Sequence, residues 1–169
     1  MTSASTTSAS TTSASATSTS TLPAPTEDSL ETLLELRFPA RADRLKLVRG
    51  SIRAAARMCG FNDTTAQSIV LAVDEACQNI IVHGYKGRAD GEIVLGMFRR
   101  RDGILVRLRD FAPPVDPSKI KPRALDDIKP GKLGSHFIHE IMDSVEYRPG
   151  PDGIGNLLEM IRRMDNTPW

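Results

Sequence analysis

Two strand-like runs, EIVLGMFRR at residues 92–100 and GILVRLRD at 103–110, are joined through the short connection Arg101-Asp102-Gly103. Apolar and β-branched runs this close together return as an antiparallel hairpin, because a parallel partner needs a crossover of a dozen or more residues. A hairpin in mid-chain obliges the neighbouring segments to extend an antiparallel sheet and to cover one of its faces.

The flanking segments supply both. LLELRF at 33–38 reads as a first strand stopped by Pro39. Asp43 precedes a helical run to about Cys59, in which Leu45, Val48, Ile52, Ala55, Ala56 and Cys59 recur at three- and four-residue steps. Gly60 terminates it. Asn62 or Asp63 caps a second helix through Ile69, Val73, Ala76 and Ile80 to about Val82, broken by Gly84 and the loop at 86–91. After the hairpin, five prolines fall between Pro113 and Pro130, and a structureless loop of that length is usually functional. Gly131-Lys132-Leu133-Gly134 opens a third helix with Phe137, Ile138, Ile141 and Met142 as its apolar side. Residues 144–148 and 155–164 form a closing antiparallel pair around a turn at 149–153. The order β, α, α, β, β, long loop, α, β, β predicts an α+β two-layer sandwich, a mostly antiparallel sheet with helices on one face.

The first stretch is different material. Residues 2–21 are only Ser, Thr and Ala, in the pentads TSAST, TSAST, TSASA and TSTST. Nothing in it offsets the entropy of ordering, so 1–27 is expected to be a disordered tail and 28–169 the folded domain. It lacks the basic and apolar regions of a signal peptide. A net charge of +1 gives no global field for nucleic acid or a membrane surface. No apolar run approaches the roughly 20 residues that span a bilayer. The two cysteines, Cys59 and Cys77, fall in helical segments and are expected to be buried reduced thiols in a soluble, cytoplasmic protein.

Chemistry concentrates in LAVDEACQNIIVHGY, residues 71–85. Glu75 and Asn79 are four apart and share one helix face. A carboxylate and an amide so placed can treat a metal-phosphate group jointly. The amide oxygen suits Mg²⁺, and the carboxylate can take a proton from a hydroxyl attacking a phosphate. On spacing alone, a solvated polar face is the commoner reason for such a pair.

The wider pattern adds to this. Glu75-Ala76, Asn79, His83 and Tyr85 fit E-A-x-x-N-x-x-x-H-x-Y, which resembles the N-box of the GHKL ATPase superfamily and, more narrowly, its anti-sigma factor serine kinase branch. Arg109 to Pro117 resembles the first glycine box, and 130–134 followed by 138–147 the second. Gly155-Asn156-Leu157 is similar to the start of the last strand. The resemblance spans about 30–164 and implies the Bergerat ATP-binding fold, in agreement with the element order. It implies Glu75 as the general base, Asn79 as the magnesium ligand and Asp110 as the reader of the adenine amino group. Gly131, Lys132, Leu133 and Gly134 would meet the phosphates at the third helix's N-terminus, and the proline-rich segment would be the ATP lid. The implied cofactors are ATP and Mg²⁺. The implied activity is transfer of the γ-phosphate to a serine of a STAS-type anti-anti-sigma protein, with sequestration of a sigma factor as a second role. A homodimer is among the states the resemblance allows.

The chain departs from the family pattern in three places. Ala112 and Pro114 stand where the first glycine box usually has glycines, and Lys132 where the second often has one. The first two favour an alternative reading, a partner-binding switch module that binds ATP without significant kinase activity. A sensor histidine kinase is disfavoured, because no helix with a phospho-acceptor His precedes residue 30. His136 and His139, beside Glu140, read as a polar helix face, and His83 either as a hydrogen-bonding group near the nucleotide or, equally, as a residue at the negative end of its helix, outside the catalytic set. Arg41, Arg44, Lys46, Arg49, Arg53 and Arg57 against Asp43 make a basic stripe, solvated by default and otherwise a surface for an acidic partner.

Overall fold

The hairpin forms at the spacing that predicts it. In a computed structural model of the chain, which describes residues 30–114 and 134–164, β2 (Glu92–Arg100) and β3 (Gly103–Asp110) pair antiparallel with Arg100 opposite Gly103 and Ile93 opposite Asp110. The tail at 1–27, most of the proline-rich segment, and Gly131, Lys132 and Leu133 lie outside the described residues, as do the side chains of 134–136.

Among the described residues five strands make one sheet in the order β1-β2-β3-β5-β4, and every neighbouring pair is antiparallel. β1 (Glu31–Pro39) runs longer than LLELRF: Pro39 is its last residue, opposite Glu92, and a bulge interrupts the pairing between Thr32 and Leu34. An edge strand tolerates proline at its end because no ladder donor is lost there. β4 (Ser144–Pro149) and β5 (Asn156–Arg163) are the closing pair.

Three helices cover one face: α1 (Leu45–Met58), α2 (Asp63–Asn79) and α3 (Gly134–Ile141). Strand alternation decides which face. Ile93, Leu95 and Met97, with Ile104, Val106, Leu108, Leu158 and Met160, point into the helical layer and are buried. α1 meets them with Leu45, Val48, Ile52, Ala55 and Ala56, the face read from the sequence. Each fully buried aliphatic side chain contributes about 1.5–3 kcal/mol. α3 differs from expectation: Ile138 and Met142 are buried, but Phe137 remains 39% exposed. Cys59 and Cys77 are free and buried. No helix among the described residues is long and apolar enough to cross a membrane.

The start and end of α2 carry the detail that matters for the site. The Asn62 side chain accepts a hydrogen bond from Thr65 N at 2.8 Å, so Asn62 rather than Asp63 is the cap. The α-helix does not reach Val82. It ends at Asn79 and continues as a π-helical turn, Ile80–Gly84, in which Tyr85 N reaches back five residues to Ile80 O at 2.9 Å. Such turns are uncommon and frequently occur at functional sites.

Candidate functional site

Glu75 and Asn79 both lie on α2, half-buried, one helical turn apart. No hydrogen bond or ion pair engages either side chain among the described residues. Asn79 is the last α-helical residue before the π turn. The residue before Glu75, Asp74, points elsewhere. It is 8% exposed, and Arg49 of α1 grips it through two bonds, Nε to Oδ1 at 2.8 Å and Nη2 to Oδ2 at 3.2 Å. Gln78 adds a third bond to Oδ2 at 2.9 Å. Asp74 thus ties α2 to α1 and leaves Glu75, among the described residues, as the carboxylate with no partner of its own.

Asp110 is the last residue of β3, with its side chain on the helical face beside Ile93 and Asn156. It is 5% exposed. Oδ1 accepts from Ala112 N and from Asn156 Nδ2, each at 2.9 Å. Among the described residues no donor reaches Oδ2. Burial raises the Asp110 pKa above the ordinary carboxylate value, and the Asn156 and Ala112 bonds pull it back only in part. A carboxylate with one oxygen satisfied from within and the other open suits an external N–H donor.

The π turn brings these two regions together. Tyr85 Oη donates to Glu92 O at 2.7 Å and accepts from Phe111 N at 2.8 Å. One residue earlier, Gly84 faces Ala112, whose methyl lies 3.4 Å from where a Gly84 Cβ would stand. The alanine that replaces a box glycine is therefore accommodated by a glycine across from it, and Ala112 is buried. Pro114 is exposed. Just before β5, Gly155 has φ +72°, and a Cβ added there would stand 1.9 Å from the Asp110 carbonyl oxygen and 2.8 Å from Phe111 Cα.

Of the expected phosphate-binding residues, Gly131, Lys132 and Leu133 fall outside the described residues, and Gly134 begins α3. His83 is exposed within the π turn, and His139 is exposed on α3. Among the described residues, no cluster of three or more His, Cys, Asp or Glu is arranged to hold a metal. A cleft of about 590 Å³ lies beside the π turn, lined by Tyr85, Lys86, Arg88, Asp90, Phe111 and Pro113 among others. Glu75, Asn79 and Asp110 do not line it.

The basic stripe of α1 proves largely committed within the chain. Arg49 holds Asp74, Arg53 bonds Gln67, and Arg57 pairs with Asp63 at 3.1 Å. Arg41 and Arg44 both pair with Asp43. Sequence reasoning missed Asp74, Tyr85 and Asn156 as organising residues. Tyr85 and Asn156 stood inside quoted motifs, but a motif does not say which atoms a side chain reaches. Asp74 beside Glu75 had a detectable signal, a charged residue on the apolar side of a helix.

Comparison with known proteins adds a family. The histidine kinase-like ATPase domain family matches residues 38–162. The chain is similar to the serine-protein kinase RsbW of Bacillus cereus (strain AH820), 29% identical over 125 residues, 67% of this chain and 75% of that protein. It is also similar to the serine-protein kinase RsbW of Halalkalibacterium halodurans, at 27% over 125 residues, covering 68% and 75%. For the same kinase of Bacillus pumilus (strain SAFR-032) the figures are 26% over 124 residues, covering 68% and 76%.

Proposed function

Because the chain belongs to the histidine kinase-like ATPase domain family, we propose that its folded unit, residues 28–169, is an ATP-using protein-serine kinase of the anti-sigma type. ATP use follows from the family, and the kinase class is supported by the serine-protein kinases it resembles. The finer assignments are our own reading. Asp110 accepts the adenine amino group at its open Oδ2. Asn79 supplies an amide oxygen to Mg²⁺, and Glu75 takes the proton of the acceptor serine. Gly131, Lys132, Leu133 and Gly134 meet the phosphates. The acceptor is a serine on a STAS-type anti-anti-sigma protein, and a sigma factor is the second partner. A cytoplasmic setting suits both partners and the free thiols.

The observation that carries this reading is the Asp110 carboxylate. It is buried at a strand end, satisfied on one oxygen and, among the described residues, open on the other, which fits an exocyclic amine and disfavours a carbonyl such as that of guanine. The half-buried Asn79 fits Mg²⁺, a hard cation that binds few protein oxygens and shares the triphosphate. When bound, Mg²⁺ neutralises charge on the phosphates. The side chains do the rest by position: among the described residues no cation engages Glu75, so its carboxylate is left to take the proton of the serine hydroxyl.

Labelled Mg-ATP incubated with candidate STAS partners tests the reading. Label is expected on the partner with the native chain and not with Glu75→Ala, which still binds nucleotide. Transfer that survives Glu75→Ala overturns the base assignment, and a chain that binds no nucleotide overturns the kinase reading. The alternative, a switch module that binds ATP without significant transfer, rests on Ala112 and Pro114. Gly84 opposite Ala112 weakens its first support.

A further inference from the structure

We infer that Tyr85 is a positioning residue for base recognition, setting the Asp110 carboxylate against the end of the α2 helix through its hydroxyl. This rests on the nucleotide reading proposed above. The phenol spends its single proton on Glu92 O at 2.7 Å and accepts Phe111 N–H at 2.8 Å. It thereby joins three points: the π turn that follows Asn79, the first residue of β2, and the residue directly after Asp110.

The geometry makes the hydroxyl position well determined. The π turn holds Tyr85 N on Ile80 O, and Gly87 N bonds Ile81 O at 2.9 Å, so the backbone under the ring is fixed on both sides. The ring itself lies over Gly91, where an added Cβ would stand 2.5 Å from ring carbons. Only glycine lets the ring settle there.

Phe111 is clamped from its other side as well. The Arg109 guanidinium stacks over the Phe111 ring at 4.8 Å, and Asp152 anchors that guanidinium at 2.7 Å. Since Ala112 N is one of the two donors to Asp110 Oδ1, the peptide between Phe111 and Ala112 sets where Oδ2 points. Tyr85 fixes one end of that residue pair. A purely structural tyrosine would affect folding or all nucleotides alike. A positioning tyrosine affects the contact that Asp110 makes and spares the phosphate end.

The test compares ATP with purine riboside triphosphate, which lacks the exocyclic amine, for the full chain with Mg²⁺, as native protein, Tyr85→Phe and Gly91→Ala. Tyr85→Phe keeps the ring on Gly91, and Gly91→Ala keeps the hydroxyl but displaces it. Melting curves confirm that each variant is folded. The native chain is expected to prefer ATP, and in both variants the preference should fall by about tenfold, the scale of one hydrogen bond, with affinity for the analogue changed less than about twofold. A native preference that Tyr85→Phe retains overturns the role of Tyr85. A native chain with no preference overturns the adenine reading, and this role falls with it.

Discussion

Asn156 Nδ2 donates to Asp110 Oδ1 at 2.9 Å across the β3–β5 pair, one amide bond holding a carboxylate that burial would otherwise protonate more readily. The bond favours the ionised form, the form that accepts a hydrogen bond on both oxygens. Affinity for ATP should therefore fall as pH drops towards the raised Asp110 value, which lies above the ordinary value of about 4. Asn156→Ala removes a stabiliser of the ionised form and should move that midpoint to higher pH. Nucleotide titrations across mildly acidic pH measure it, and an unmoved midpoint argues against the coupling.

The same carboxylate has a pH dependence of stability opposite in sign to that of Asp102. With its folded pKa raised, Asp110 binds its proton more tightly in the native state. Its contribution is greatest below the unfolded value and is lost as pH rises through the folded one. Asp102, held low by Arg100 and then Arg163, behaves conversely and loses stability as pH falls. Asp110→Asn keeps an oxygen for Ala112 N and Asn156. It should leave stability at pH 7 unchanged or higher while abolishing adenine preference. Denaturant melts of the two proteins at pH 4.5 and 7 isolate the Asp110 part as a difference.

Gly155 makes the Asn156–Asp110 contact possible. Its φ of +72° is left-handed, and a methyl there would collide with the Asp110 carbonyl and Phe111 Cα. Gly155→Ala should cost about 3 kcal/mol or more, lowering the melting temperature by roughly 10 °C, and should weaken ATP binding with it. Thermal melts with and without Mg-ATP measure both effects.

The sheet and its helical cover were legible in the sequence because they rest on local periodicity. Leu45, Val48, Ile52, Ala55 and Ala56 repeat at helical spacing, and the hairpin announces itself by a two-residue gap. Register across distant strands is not local. That Asn156 stands opposite Asp110 depends on β5 returning beside β3, 46 residues later. The π turn was invisible for a different reason. Ile80, Ile81 and Val82 continue a helical pattern, and only the later demand of Tyr85 for Glu92 and Phe111 selects the extra residue per turn. Phe137 sits at the rim of the apolar side of α3, and apolarity alone does not tell the rim of a helix face from its centre. The basic stripe of α1 reads as a solvated face or a partner surface in the sequence, because its counter-charges, Asp74 and Asp63, lie on the next helix.

That pairing makes a sharp stability prediction. Arg49→Ala strands Asp74, which is 8% exposed and keeps only the Gln78 bond, and should cost about 2 kcal/mol, roughly 5–10 °C in melting temperature. Removing both partners in Arg49→Ala with Asp74→Ala should recover part of the loss, because the buried charge goes too. Arg53→Ala, which loses only an exposed bond to Gln67, should stay within about 0.5 kcal/mol. Equal effects at Arg49 and Arg53 would mean that the stripe is solvated and the Asp74 link contributes nothing.

Magnesium gives the clearest separation of Asn79 from Asp110. If the Asn79 amide oxygen binds the cation, its removal matters only when the cation is present. Native protein should bind ATP about tenfold or more tightly in excess Mg²⁺ than in excess chelator, the direction expected if the Asn79 oxygen helps hold the cation that neutralises the phosphates. In Asn79→Ala that difference should shrink towards nothing, with affinity in chelator unchanged. Asp110→Asn should do the reverse, lowering affinity in both conditions and keeping the magnesium ratio. Calorimetric titration of the three proteins under the two conditions decides it: a full magnesium effect in Asn79→Ala would place the cation on other residues, and Asn79 would then be one more polar group on a half-buried helix face.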